Sequence, residues 1–205
     1  MEYRQGQNTH AMITAYVLSQ TGGSILTENL KEKIAGTFME MTRKKNFDKI
    51  TIKDLVQECG ISRQAFYYHF QDILDVIEWI LQKGADELLE RSLHVSGTKE
   101  AIRLFIDFSV KNRDFMHRLL ASRQRERMEE MLHNSFRCYL ENLCRHQTSE
   151  PALNYRDLDV ALDFYTYGIA GVLMEHTKNT AVDSDVLTDQ LFRLLAGHML
   201  HLPED

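Results

Sequence analysis

The stretch Thr51-Ile-Lys-Asp-Leu-Val-Gln-Glu-Cys-Gly-Ile-Ser-Arg-Gln-Ala-Phe-Tyr-Tyr-His-Phe70 reads as two short helices around a tight turn. Thr51 is placed to cap the first, and Asp54, three residues on, can answer the cap and the helix dipole. Leu55 and Val56 supply an inward face. Gly60 falls where the chain must reverse, a position that suits left-handed backbone angles. Ile61 plugs the turn, and Ser62 is the N-cap of a second helix over 63–70. Such an arrangement is a helix-turn-helix, whose second helix lies in the DNA major groove.

The second helix strengthens that expectation. Phe66 and Phe70 are four apart, share a face and are assigned inward. Arg63, Gln64, Tyr67, Tyr68 and His69 then point elsewhere, and all can hydrogen-bond to bases or phosphates. Two adjacent tyrosines are unusual on a merely solvated surface, because exposed aromatic area is unfavourable.

Working outward, residues 43–71 carry six basic side chains (Arg43, Lys44, Lys45, Lys49, Lys53, Arg63) and three acidic ones (Asp48, Asp54, Glu58), a local charge of +3. The whole chain of 205 residues has a net charge of −6, which leaves −9 for the remainder. A basic head on an acidic body concentrates attraction for nucleic acid at one face. With only 2 Pro and 10 Gly, long stretches are free to be helical. The three cysteines, Cys59, Cys138 and Cys144, form no Cys-x-x-Cys pair and suit a reducing compartment. Neither a run of about 18 apolar residues nor a secretion signal is visible, so a cytoplasmic protein is expected.

At these residues the sequence resembles the TetR family of bacterial transcription regulators. The resemblance rests on Phe47, Ile50-Thr51, Gly60-Ile61-Ser62 and Phe66-Tyr67-Tyr68-His69-Phe70 and is specific over about residues 27–80. A Lys usual in the family shortly after the last Phe is absent; Ile73 stands there. The resemblance implies an all-α fold, with an N-terminal three-helix helix-turn-helix domain and a C-terminal helical bundle for regulation and dimerisation. Its implied partners are a double-stranded DNA operator, a second copy of the chain, and an effector or partner protein at the bundle. Expected boundaries are 1–26 for a polar, flexible extension, with Met12 as an alternative start, 27–75 for the DNA-binding domain and 76–205 for the rest. DNA contacts are expected from Lys49, Thr51, Lys53, Ser62, Arg63, Gln64, Ala65, Tyr67, Tyr68 and His69. Arg63 and Gln64 are the expected base readers, since Arg suits guanine and Gln adenine.

The remaining chain reads as helices. Thr27 caps one over 28–45, whose last residues Arg43, Lys44 and Lys45 suit the dipole and could reach phosphate. Asp72 opens another to about Leu89. Segments 99–110 and 112–120 follow, then 123–146, a loop with Pro151, and helices over 156–178 and 184–201. Phe105, Phe108, Phe115, Met116, Phe136, Tyr139, Phe164 and Tyr167 are candidates to line an effector pocket, because rings and phenol hydroxyls exceed what a bundle core needs. Tyr165, Gly168, Gly171, Val172, Leu191 and Leu195 are candidates for the dimer interface. Two glycines inside a helix cost about 2 kcal/mol relative to Ala, which close approach of another helix would explain.

Catalysis, cofactors and metals are not expected. The sequence has no Gly-rich phosphate loop, no Gly-x-Ser-x-Gly and no His-Glu-x-x-His. His117, His133, His146, His176, His198 and His201, with Cys138 and Cys144, lack the spacing of a zinc motif. The runner-up function is a helical protein-interaction co-regulator that has lost direct DNA binding.

Overall fold

The computed structural model describes residues 29–147, 155–178 and 182–196. The polar extension, Thr27, the loop with Pro151 and the His198–His201 pair lie outside them. The described residues are helical throughout, with no strand: α1 (29–44), a single 3₁₀ turn (Phe47–Lys49), α2 (Ile52–Cys59), α3 (Arg63–His69), α4 (Ile73–Leu93), α5 (Thr98–Leu120), α6 (Arg125–Gln147), α7 (Tyr155–His176) and α8 (Ser184–Leu195). They form two compact units, one reaching to Lys45 and resuming over Lys49–Ile77, the other made of Asn46–Asp48 and the residues from Glu78 on. The boundary falls inside α4. Phe47 is buried and belongs to the second unit.

In the first unit the apolar stripe of α1 points inward, with Ile34, Ala35 and Phe38 buried. Leu55, Val56, Phe66 and Phe70 meet it in the unit's core. The ends of α2 are closed by the residues that its sequence supplies. Thr51 Oγ1 accepts from the Asp54 N–H at 3.2 Å, and the Asp54 carboxylate accepts from the Thr51 N–H at 3.1 Å. Gly60 stops the helix at φ 64°, in the left-handed region that side chains avoid. Ser62 Oγ accepts the Ala65 N–H at 3.0 Å and starts α3.

Lys45 Nζ donates to the Asp54 carboxylate at 2.9 Å and so ties the end of α1 to the start of α2. The Lys45 ammonium, with the Thr51 backbone and hydroxyl, pulls the Asp54 pKa down to about 2. The sign follows. A carboxylate more acidic when folded gives stability that is fully present above its unfolded value, and that is lost as pH falls through the folded one. Asp54→Asn is therefore expected to lower the melting temperature at neutral pH and to leave it nearly unchanged near pH 2, which a pH series of thermal melts checks.

In the second unit α5 packs against α8 and α6, and α6 against α7. Segments 99–110 and 112–120, read separately in the sequence, are one continuous α5. Ile106, Leu173, Leu187 and Leu191 form a buried cluster, with Ile102, Phe105, Ile169 and Val172 packed on it. The Phe105 ring stacks on Phe136 at 4.3 Å and lies 5.6 Å from Tyr139. A Cβ on Gly84 would lie 3.0 Å from Cζ of Phe108, so α4 presents bare backbone to that ring. Arg137 on α6 forks onto Asp159 and Asp163 of α7, and Arg103 and Lys99 on α5 pair with Asp185 and Asp189 of α8. These exposed pairs fix register more than they add stability. No described helix is long and apolar enough to cross a membrane.

Candidate nucleic-acid interface

α3 is seven residues long and buries Phe66 alone. Phe70, its C-cap, is buried too; the Phe66 and Phe70 rings lie 6.0 Å apart and anchor the helix from beneath. The opposite side is open. Ser62, Arg63, Gln64, Tyr67 and Tyr68 are exposed, and Ala65 and His69 are half-buried. Tyr68 is 79% exposed, the extreme among the described large apolar side chains. Its ring meets only the edge of His69, at 5.0 Å. A folded chain leaves so much aromatic surface in water only at some cost, and stacking or contact with a base methyl would recover it.

Lys49, Thr51 and Lys53 are exposed as well, on the turn and first helical turn that precede α3. Of the three bases that end α1, two are committed elsewhere: Lys45 to Asp54 and Arg43 to Glu40 at 2.7 Å. Lys44 stays exposed. Every DNA-contact candidate thus lies in the first unit, on residues that helix burial leaves available. His69 differs in that burial, and next the nearby Lys31 cation, hold its imidazole below the usual histidine range. Lys31 is a residue that the sequence reading missed. Its Nζ sits 5.5 Å from the centroid of the Phe70 ring. No spacing rule joins α1 to the end of α3, so only the tertiary structure brings Lys31 there.

The two sets of candidates in the second unit are redistributed. Phe105, Phe136 and Tyr139 do come together, and the buried Tyr139 hydroxyl shares a 3.0 Å hydrogen bond with Ser92. Burial pushes the Tyr139 phenol above its ordinary pKa. Phe115 is buried, Met116 half-buried, and Phe108 is seated on Gly84. Phe164 and Tyr167 do not join them: they are 70% and 67% exposed on the outer face of α7, where Tyr167 stacks on His133 at 4.2 Å. Helical spacing puts them beside Val160, Gly168 and Gly171, all exposed, and a Cβ at either glycine would meet nothing within 4 Å. Of the expected interface residues, Tyr165, Gly168 and Gly171 are exposed and Leu195 is half-buried. Leu191 is instead in the protomer's own core, and Val172 packs against it. The reason is that Leu187 and Leu191, four apart, turn the same side of α8 inward, which leaves Val186 and Leu194 outside.

The sequence matches the family model of bacterial regulatory proteins of the tetR family over residues 39–78. It matches that of a transcriptional regulator C-terminal region over residues 98–197. Over 96 residues it is 25% identical to the HTH-type dhaKLM operon transcriptional activator DhaS of Lactococcus lactis subsp. lactis (strain IL1403), covering 47% of this chain and 50% of that one. Over 79 residues it is 32% identical to the uncharacterized HTH-type transcriptional regulator YerO of Bacillus subtilis (strain 168), covering 36% and 27%. The chain thus spans half or less of the length of these curated relatives. Among solved structures, the dihydroxyacetone kinase operon activator DhaS aligns with a TM-score of 0.62 at 19% identity, over 85% of this chain and 97% of that one. A tetR-family transcriptional regulator from Streptomyces coelicolor aligns with a TM-score of 0.59 at 18% identity, over 82% of each. At such identities the structural likeness establishes the fold.

Proposed function

Since this chain belongs to the TetR family, whose members are transcriptional regulators and not enzymes, we propose that it binds an operator as a homodimer, with α3 as its reading helix, and that its C-terminal unit receives the controlling signal. The observation that carries the DNA half is the bare outer face of α3, where Arg63, Gln64, Tyr67 and Tyr68 stand exposed over a buried Phe66. The same observation counts against a co-regulator that has lost DNA binding, since such a protein has no use for so much unspent aromatic and polar surface. In the proposed contact Arg63 and Gln64 read bases, Ala65 and Tyr68 lie close to base methyls or backbone, and Lys49, Lys53, Tyr67 and His69 hold phosphates.

A homodimer is supported by the exposed stripe Val160, Phe164, Tyr167, Gly168 and Gly171 on α7, with Val186 and Leu194 on α8. Two-fold pairing of that stripe would present two copies of α3 to two half-sites of a palindrome. In the C-terminal unit the Phe105–Phe136–Tyr139 stack is already closed and Tyr139 already has Ser92 as partner. An effector that enters there must part the rings and take over that bond. A thermal-shift screen of small metabolites, repeated on Tyr139→Phe, is the test; hits that ignore the substitution argue for a different seat or a partner protein.

Selection from a random duplex pool, followed by footprinting, tests the DNA half. Paired, inverted half-sites are expected. A folded protein that retains no duplex even at low salt would establish the co-regulator instead. On the selected operator Arg63→Ala is expected to cost about 1–3 kcal/mol and to relax preference at one base position. Tyr67→Phe and Lys53→Ala should weaken all sequences evenly. Competition titrations on point variants of the operator distinguish the two patterns, and an even loss from Arg63→Ala would move that residue to a phosphate.

A further inference from the structure

Beyond the contacts named so far, the C-terminal end of α3 holds a cation that pairs with no carboxylate among the described residues. Lys31 comes from α1, and its ammonium rests against the Phe70 ring, 5.5 Å from the centroid. Among the described residues it has no carboxylate partner, whereas the first unit's Arg43 and Lys45 are both paired. A neighbour of like sign is His69, half-buried beside it. The two acidic groups that follow α3 are engaged with backbone. The Asp72 carboxylate accepts the Asp75 N–H at 2.9 Å, and the Asp75 carboxylate accepts the Gln71 N–H at 2.9 Å, at the start of α4. Two potential cations and one ring that positions the first describe a site suited to an anion.

We infer that Lys31 is a DNA-contacting residue, and that Lys31 and His69 together hold one backbone phosphate at the end of the reading helix. The inference rests on the DNA-binding reading and extends it to α1. Lys31 supplies a fixed charge, oriented by the face of Phe70. His69 supplies a conditional one. Without DNA, desolvation and the Lys31 charge both disfavour the protonated imidazole. A phosphate placed between the two cancels the repulsion and stabilises the imidazolium, so a proton passes from solvent to the ring as the complex forms. The other ionisable groups on this end of the unit are Tyr67 and Tyr68 on α3 and Asp72 and Asp75 at α4.

The test uses the 205-residue chain and a short labelled duplex DNA, with affinity measured as a function of salt. Each phosphate neutralised contributes about 0.9 to the slope of log K against log salt concentration. Lys31→Gln is expected to make the slope shallower by about that amount, and Lys31→Arg to retain it. For the wild type the slope should steepen by up to about the same amount between about pH 7.5 and about pH 6, and His69→Gln should abolish that steepening. Thermal melts of each variant separate folding from binding, since a slope is read only from the folded fraction. A folded Lys31→Gln with the wild-type slope overturns the assignment of Lys31. An equal pH response in wild type and His69→Gln overturns the shared phosphate. A wild type that binds no duplex at all overturns the DNA-binding reading itself, an outcome distinct from the other two.

Discussion

Phe164→Asp is expected to sediment as a monomer at concentrations where the wild type is a dimer. The side chain is 70% exposed in the protomer, so the change costs the isolated fold little. In a two-fold interface it acts twice, because the same patch faces itself. An aromatic at the centre of an interface contributes roughly 2 kcal/mol or more, so loss from both copies weakens the dimer by about 4 kcal/mol, near a thousandfold in Kd. The carboxylates add to that, because each would be buried without a partner. Phe164→Leu keeps apolar area and should stay dimeric. Gly171→Leu approaches the same face differently: its Cβ position is open in the protomer, so any loss of dimer reports overpacking against the second copy. Sedimentation velocity over a concentration series gives the answer. A wild type that stays monomeric at micromolar concentration, or a dimer indifferent to Phe164→Asp, would remove α7 from the interface.

Phe66→Ala is expected to unfold the first unit at temperatures that the wild type tolerates. Phe66 is fully buried, and its ring meets Tyr67 edge-on at 5.5 Å and Phe70 at 6.0 Å. Deleting a buried Phe costs about 3–5 kcal/mol, against a total of only about 5–15 kcal/mol for a domain. Phe66→Leu should recover most of the loss. DNA affinity should fall with the folded fraction, and the change should be visible as a lowered melting transition in circular dichroism. An unaltered melt would mean that α3 is not anchored through this ring.

What the sequence made legible is what local rules govern. Thr51 with Asp54, Gly60 and Ser62 sit at offsets of three or at a stop, so their roles follow from position alone. The inward pair Phe66 and Phe70 likewise follows from a spacing of four. The same rules failed where an element has apolar residues on more than one side. On α7 the rings at 164 and 167 look no different in sequence from a core residue such as Leu162, yet they are exposed while Leu162 is buried. On α8, Leu191 and Leu194 are equally apolar, and only packing against α5 makes the first of them core. The sequence reads as two segments that meet at residue 111; Lys111 is exposed and the Asn112 amide donates to the Phe108 carbonyl at 2.9 Å, so the helix runs through. Lys31 could not be found by any local rule, since its neighbours come from 38 and 39 positions away.

The Phe108 ring seated against Gly84 works as a detent. At the positions one turn either way on α4 stand Ile80 and Leu88, which carry branched side chains where Gly84 has none. Sliding α5 by a whole turn of α4 would bring the ring against a branched side chain. At this contact, rocking about the ring is expected to be easier than sliding by a turn.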